Sequence, residues 1–173
     1  MGKAKRRNEM LRDIQLENGK KAVYTGEIFR MAGDHRSLRL RLAAGLAALI
    51  AVVIASGCID AAGTTNTFYV ILPYIGEVSA LFALCWNVIK IISGSDGVRK
   101  YVYDSASRSI PGACRVLTVF ALFGLLASGV YLIANGFGGK SVKSIIYLVL
   151  KILAAFASEF YCRYYRGIKW EKV

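Results

Sequence analysis

At 173 residues, with 55% hydrophobic side chains and a mean hydropathy of +0.45, the chain has room for one domain and is too apolar for a water-soluble domain of that size. It is also strongly basic, with 23 Lys and Arg against 11 Asp and Glu and a net charge of +12, so its oily and charged residues must occupy separate segments. Those positive residues flank apolar runs at three separated places, which argues against a nucleic-acid face, where basic side chains gather with polar and aromatic readers on one surface.

Residues 1–37 read as a basic polar tail. Within it, Asn18-Gly19 flanked by alternating residues over 14–24 marks a two-residue β-hairpin turn with Glu17 opposite Lys20. A short helix over residues 8–17 ended by Gly19 competes with it, and the hairpin is preferred. An isolated hairpin is marginal in water, so an ordered one should dock on the protein's own end, a second copy or a partner; a mobile tail is the alternative.

The first apolar run, residues 42–59, is the shortest of four. With Arg36, Arg39 and Arg41 before it and Ser56-Gly57-Cys58 at its end, it has the outline of a lipoprotein signal peptide. The segment ahead of it is long for a signal, however, and Ala55 stands where a larger aliphatic is usual, so a retained membrane helix is the better reading. The second run, 68–92, carries Pro73 and Gly76 as a helix-two kink, together with Glu77 and Asn87. A loop over 93–112 is expected next, with Asp96 and Asp104 as caps and Pro111 as a stop before the third run, 114–134. Tyr101 and Tyr103 in that loop suit the headgroup level. The fourth run, 142–161, places Ser144, Lys151 and Ser158 at strict sevens, and residues 162–173 form a basic C-terminus. Each run approaches the ~20 helical residues that cross a ~30 Å hydrocarbon core. The expected architecture is an all-α membrane protein, an antiparallel bundle of four transmembrane helices spanning 38–173.

Orientation follows from the charges. The tail, the flanked middle loop and the C-terminus hold nearly all the Lys and Arg, including Arg36, Arg39, Arg41, Arg99, Lys100, Arg163, Arg166 and Lys169, while the two opposite connections offer only Lys140 and Lys143. By the positive-inside rule both termini and the middle loop are cytoplasmic. The eight named residues are expected to contact anionic lipid headgroups.

Small residues recur on every run: Ala44, Ala48, Ala51 and Ala55; Gly76 and Ala80; Ala121, Gly124, Ser128 and Asn135; Ala154 and Ala155. In lipid such stripes let helices approach closely, so they are expected to face one another. Glu77 and Lys151 each lie about 13 Å from the outer end of their helices at the helical rise, on the same stripes as Asn87, Ser128, Ser144 and Ser158. Two buried charges at one depth are expected to pair. Cys58, Cys85, Cys114 and Cys162 contain no C-x-x-C and read as small buried apolar side chains.

The one histidine, His35, sits in the tail, and neither a metal-ligand cluster nor a phosphate-binding glycine loop is present. No cofactor is expected, and an enzyme is the weakest reading. The favoured one is a non-catalytic accessory or assembly subunit acting through the tail, the middle loop and a helix face, as a homodimer or within a larger membrane complex. The alternative is a small oligomeric transporter or channel with Glu77 and Lys151 in its pathway. Compact loops without a glycosylation acceptor fit a bacterial plasma membrane.

Overall fold

Runs of about twenty apolar residues form helices because the backbone can satisfy its own polar groups within the segment. In the computed structural model, which describes residues 14–17, 21–24, 27–64, 67–94, 97–137 and 139–172, this produces α1 (His35–Cys58), α2 (Phe68–Ile92), α3 (Lys100–Asn135) and α4 (Ser141–Arg166). These four are long and apolar enough to cross a membrane. Asp34 starts α1, its side chain accepting from the Arg36 amide at 3.2 Å. Gly136, at φ +69°, ends α3. That left-handed conformation suits glycine at a helix stop.

Neighbours around the bundle are α1–α2, α2–α3, α3–α4 and α4–α1, with α2 and α3 in the most extensive contact, so α2 and α4 face each other diagonally. The buried positions of α3, Ala106, Ile110, Cys114, Leu117, Ala121, Gly124 and Ser128, step by threes and fours. That is the seam spacing of knobs-into-holes packing between nearly antiparallel helices.

One end of the bundle is tied by short strands that helical periodicity does not reveal. β3 (Ile28–Met31) lies between β4 (Val98–Arg99) and β5 (Trp170–Lys172), antiparallel to both, with Phe29 opposite Val98 on one side and Lys172 on the other. Phe29 stacks on Tyr103 at 4.5 Å between ring centroids, and Trp170 closes on Tyr103 at 5.1 Å. Glu27 joins the three segments: Lys100 Nζ lies 2.9 Å from its carboxylate and Lys172 also bonds it. The Lys172 hydrogen bond, then that of Lys100, holds the Glu27 carboxyl below its ordinary pKa. This sheet end contrasts with the loop end, where the Lys140 ammonium bonds Asp60 at 2.6 Å and lowers its carboxyl pKa in the same way.

Several expectations change. The tail does contain a hairpin, β1 (Ile14–Glu17) with β2 (Lys21–Tyr24), but Glu17 pairs with Lys21 and not Lys20; the Asn18-Gly19 turn and the Asp96 cap lie outside the described residues. Helix three begins at Lys100 instead of 114, so most of the expected 93–112 loop is helical and Pro111 sits inside α3. Proline removes one amide bond yet keeps a helical φ, and the flanking buried Ala106, Ile110 and Cys114 supply packing that offsets the loss. Tyr103 turns into the sheet instead of resting outside. On α1 the buried seam is Leu42, Leu46, Leu49, Val53 and Ser56, while Ala44, Ala48, Ala51 and Ala55 are exposed. Both stripes have seam spacing; the larger side chains fill the interior and the alanines cannot. Cys58 is exposed, Cys85 half-buried, and Cys114 and Cys162 buried.

Candidate functional site: an ion pair across the bundle

Glu77 and Lys151 occupy seam positions of α2 and α4. Glu77 follows Val70 and Pro73 at steps of three and four, and Lys151 follows Ser144 and Tyr147 likewise. Helical geometry therefore drives both charges into the core, and both are fully buried. Lys151 Nζ stands 2.7 Å from Glu77 Oε1 and 2.8 Å from Oε2, a two-pronged contact across the bundle diagonal. The rings of Tyr74 and Tyr147 lie 4.9 and 5.1 Å from the same ammonium. Aromatic faces attract a desolvated cation, and each charge alone would cost ~2.5 to 3.5 kcal/mol at mid-membrane.

Glycines shape this surround. A Cβ on Gly124 would stand 3.4 Å from Glu77 Oε1 and 3.5 Å from Lys151 Cε, so α3 passes the pair with its bare backbone. A Cβ on Gly57 would run into the Tyr74 hydroxyl, and one on Gly76 would lie 2.5 Å from the Phe120 ring. Gly76 thus admits an aromatic of α3. α2 runs unbroken through the buried Pro73.

Lys151 is the middle of three polar seam positions on α4, and each bonds a different element. Ser144 Oγ accepts from the Ala62 amide at 3.1 Å, in the loop after α1. Ser158 Oγ donates to the Cys114 carbonyl of α3 at 2.9 Å. Ser128 is buried one turn beyond Gly124, and its Oγ makes no hydrogen bond within ordinary geometry. Asn87 does not join the site, because its side-chain amide donates to the Ala83 carbonyl of its own helix at 2.7 Å. Asn135 turns back on Tyr131 in the same manner. An amide left without a partner across the bundle bonds the carbonyl one turn back.

The basic residues divide into two groups. Arg36, Arg41, Arg166 and Lys169 are exposed near the sheet end, as is Arg99, which also interacts within the chain. Arg39 reaches the Gly94 carbonyl, Lys100 binds Glu27, and Arg163 Nε bonds Glu159 at 2.9 Å, so these three are engaged within the chain. Among the described residues no group of three or more His, Cys, Asp or Glu could hold a metal ion.

Sequence reasoning passed over Tyr74 and Tyr147, and it placed Gly124 on an inward stripe without linking it to the pair. The signal was present for the tyrosines, since Tyr74 precedes Glu77 by three and Tyr147 precedes Lys151 by four, the spacings of helical neighbours. Gly124 requires knowing which helix passes the pair. Comparison with family profiles, with curated proteins and with solved structures finds no match to this chain.

Proposed function

We propose that this is a small multi-pass plasma-membrane protein whose role is assembly, non-catalytic, with the sheet end cytoplasmic. The observation that supports it best is the β4–β3–β5 sheet, which gathers the tail, the α2–α3 connection and the C-terminus into one ordered surface. Among the described residues that end also carries Arg30, Arg99, Lys169 and Lys172 outside the helices, against Lys140 at the loop end, the distribution expected of a cytoplasmic face. Exposed Arg36, Arg41, Arg99, Arg166 and Lys169 suit anionic headgroups around it. The partner is a second copy or a larger membrane protein that reads this surface. Phe29→Ser should remove the stack on Tyr103 and loosen the sheet while leaving four insertable helices. Purification in mild detergent followed by mass spectrometry should then show the co-purifying partner lost from the variant and retained by the wild type; equal recovery from both would end the assembly reading.

A second reading, a small oligomeric transporter or channel, draws on the fully buried Glu77–Lys151 pair, since charges inside membrane bundles often mark pathways. Four helices enclose little lumen, so this reading needs an oligomer. A homodimer free of other proteins, with transport lost in Glu77→Gln/Lys151→Met although the fold persists, would favour it.

A further inference from the structure

Charged side chains mark one depth on all four helices. Counted at the helical rise from the loop end, Arg41 of α1 lies about 25 Å in, Lys90 of α2 and Arg163 of α4 about 33 Å, and Arg115 of α3 about 30 Å. A hydrocarbon core is ~30 Å thick, so this belt marks its boundary at the sheet end. Trp86 supports the placement: it is exposed, and Lys90 Nζ stands 4.7 Å over its ring, an aromatic and a cation meeting at the headgroup level. The helices α1, α2 and α4 end within about 10 Å of the belt, whereas α3 continues from Arg115 back to Lys100, about 22 Å. It therefore crosses the whole headgroup layer as a helix.

The outward face of α3 changes character at the belt. On its membrane side Val119, Leu122, Phe123 and Leu126 are exposed. From the belt outward the same face carries Arg115, Gly112 and Arg108, all exposed, at steps of three and four. A Cβ on Gly112 would meet nothing within 4 Å, so bare backbone lies open between the two arginines. Helical side chains lean toward the N-terminus, which carries the Arg115 guanidinium over Gly112, toward Arg108 and out of the hydrocarbon. Neither arginine has a hydrogen bond or ion pair to another described residue, whereas Arg39, Lys100 and Arg163 are engaged within the chain. Arg36 and Arg41 are exposed too, but at five residues they stand about 140° apart around α1 and do not converge on one anion. Asp104, exposed one turn beyond Arg108, confines the positive field to the level of Gly112.

We propose that Arg115, Gly112 and Arg108 form a binding site for one anionic phospholipid, its phosphate held between the two guanidinium groups against the bare backbone at Gly112 and its acyl chains lying along the apolar face on the membrane side. The arginine fork matches phosphate oxygens two at a time, and a phosphate at this depth stands where the bilayer places it. The exposed apolar surface next to the clamp fits a lipid and offers nothing to free phosphate. This rests on the reading above only in placing the bundle in a membrane with its sheet end among anionic headgroups, and not on an assembly role.

The test titrates the detergent-purified protein with dioleoylphosphatidylglycerol, dioleoylphosphatidylcholine or inorganic phosphate and counts bound molecules by native mass spectrometry. The wild type should hold one phosphatidylglycerol about tenfold more tightly than phosphatidylcholine, and Arg108→Gln/Arg115→Gln should abolish that preference. Arg36→Gln/Arg41→Gln removes the same charge from α1 and should keep the preference to within about twofold. Gly112→Leu fills the gap without touching a charge, and it should weaken phosphatidylglycerol about fivefold while leaving phosphatidylcholine unchanged. Equal weakening by the two double variants would mean diffuse attraction and overturn the site. Wild-type affinity in Gly112→Leu would overturn the clamp, and displacement of the lipid by an equal concentration of inorganic phosphate would assign the site to a free anion. A wild type without any preference for phosphatidylglycerol would sink the headgroup contacts of the reading above along with the site, whereas a preference that survives in Arg108→Gln/Arg115→Gln sinks the site alone.

Discussion

The two halves of the bundle core are held by different forces. Toward the sheet end the seams are mostly Leu, Val, Ile and Ala in close packing, with Ser158 on the Cys114 carbonyl and the Tyr161 hydroxyl on the Leu42 carbonyl at 3.3 Å as buried polar contacts. Toward the loop end stability depends on a few directional contacts, the Glu77–Lys151 pair above all, together with Ser144 on Ala62 and Lys140 on Asp60. In lipid, apolar side chains gain little by leaving their surroundings, so packing alone discriminates weakly between helix registers. A charge pair does so strongly, because a shifted register leaves both charges stranded. The polar half specifies which helices meet, and the apolar half fills the space they enclose.

This contrast would break first at the pair. Glu77→Gln or Lys151→Met alone leaves a buried charge without its partner and should destabilise the protein in detergent by about 3 to 5 kcal/mol, whereas the double variant should recover much of the loss. Additive losses in a thermal or denaturant titration would mean that the two charges are held independently. In the apolar half, Leu117→Ala opens a cavity without stranding a charge. Its cost should be about 2 kcal/mol, at the low end for buried leucines because the released surface has no water to avoid. A loss larger than that of Lys151→Met would reverse the ranking of the two halves. Ser158→Ala should be milder still, about 0.6 kcal/mol, the usual size of an interhelical hydrogen bond in lipid. Thirdly, the Cys114 carbonyl also accepts from Thr118 Oγ at 3.0 Å, so it is not left bare.

The smallest effect belongs to the sheet. Glu27 has a folded pKa below its unfolded value, so its contribution is fully present above the ordinary carboxylate pKa of 4.5 and is lost as the pH falls through the lowered folded value. Amide exchange of β3 and β5 should accelerate over that acid range while exchange in α2 and α4 stays constant. Glu27→Gln should remove the acid dependence; a dependence that persists would assign it to another carboxylate.

How far the site was legible in advance differs from residue to residue. Glu77 and Lys151 could be matched because helical rise converts sequence position into depth, and the structure brings those two together. Asn87 shared the stripe but not the depth, and at 10 residues further on it lies about 15 Å away along α2, too far to reach the pair. Tyr147 was overlooked although its spacing of four from Lys151 sets it beside the charge, because an aromatic in an apolar run reads first as core.

What the sequence by itself determined is local. Predominantly apolar runs of about twenty residues favour a helix that satisfies its own backbone, so four helices, and the limits of α2 at Phe68–Ile92, follow from composition and spacing. Only the tertiary structure decided the rest. α1 carries two stripes of seam spacing, one of leucine and valine and one of alanine, and the choice between them depends on the volume that α2 and α4 leave to be filled. Likewise the strands β3, β4 and β5, of two to four residues each, are too short to show a period of their own. They exist because the bundle brings residues 28, 99 and 172 to the same end, where backbone groups without helical partners can pair with one another.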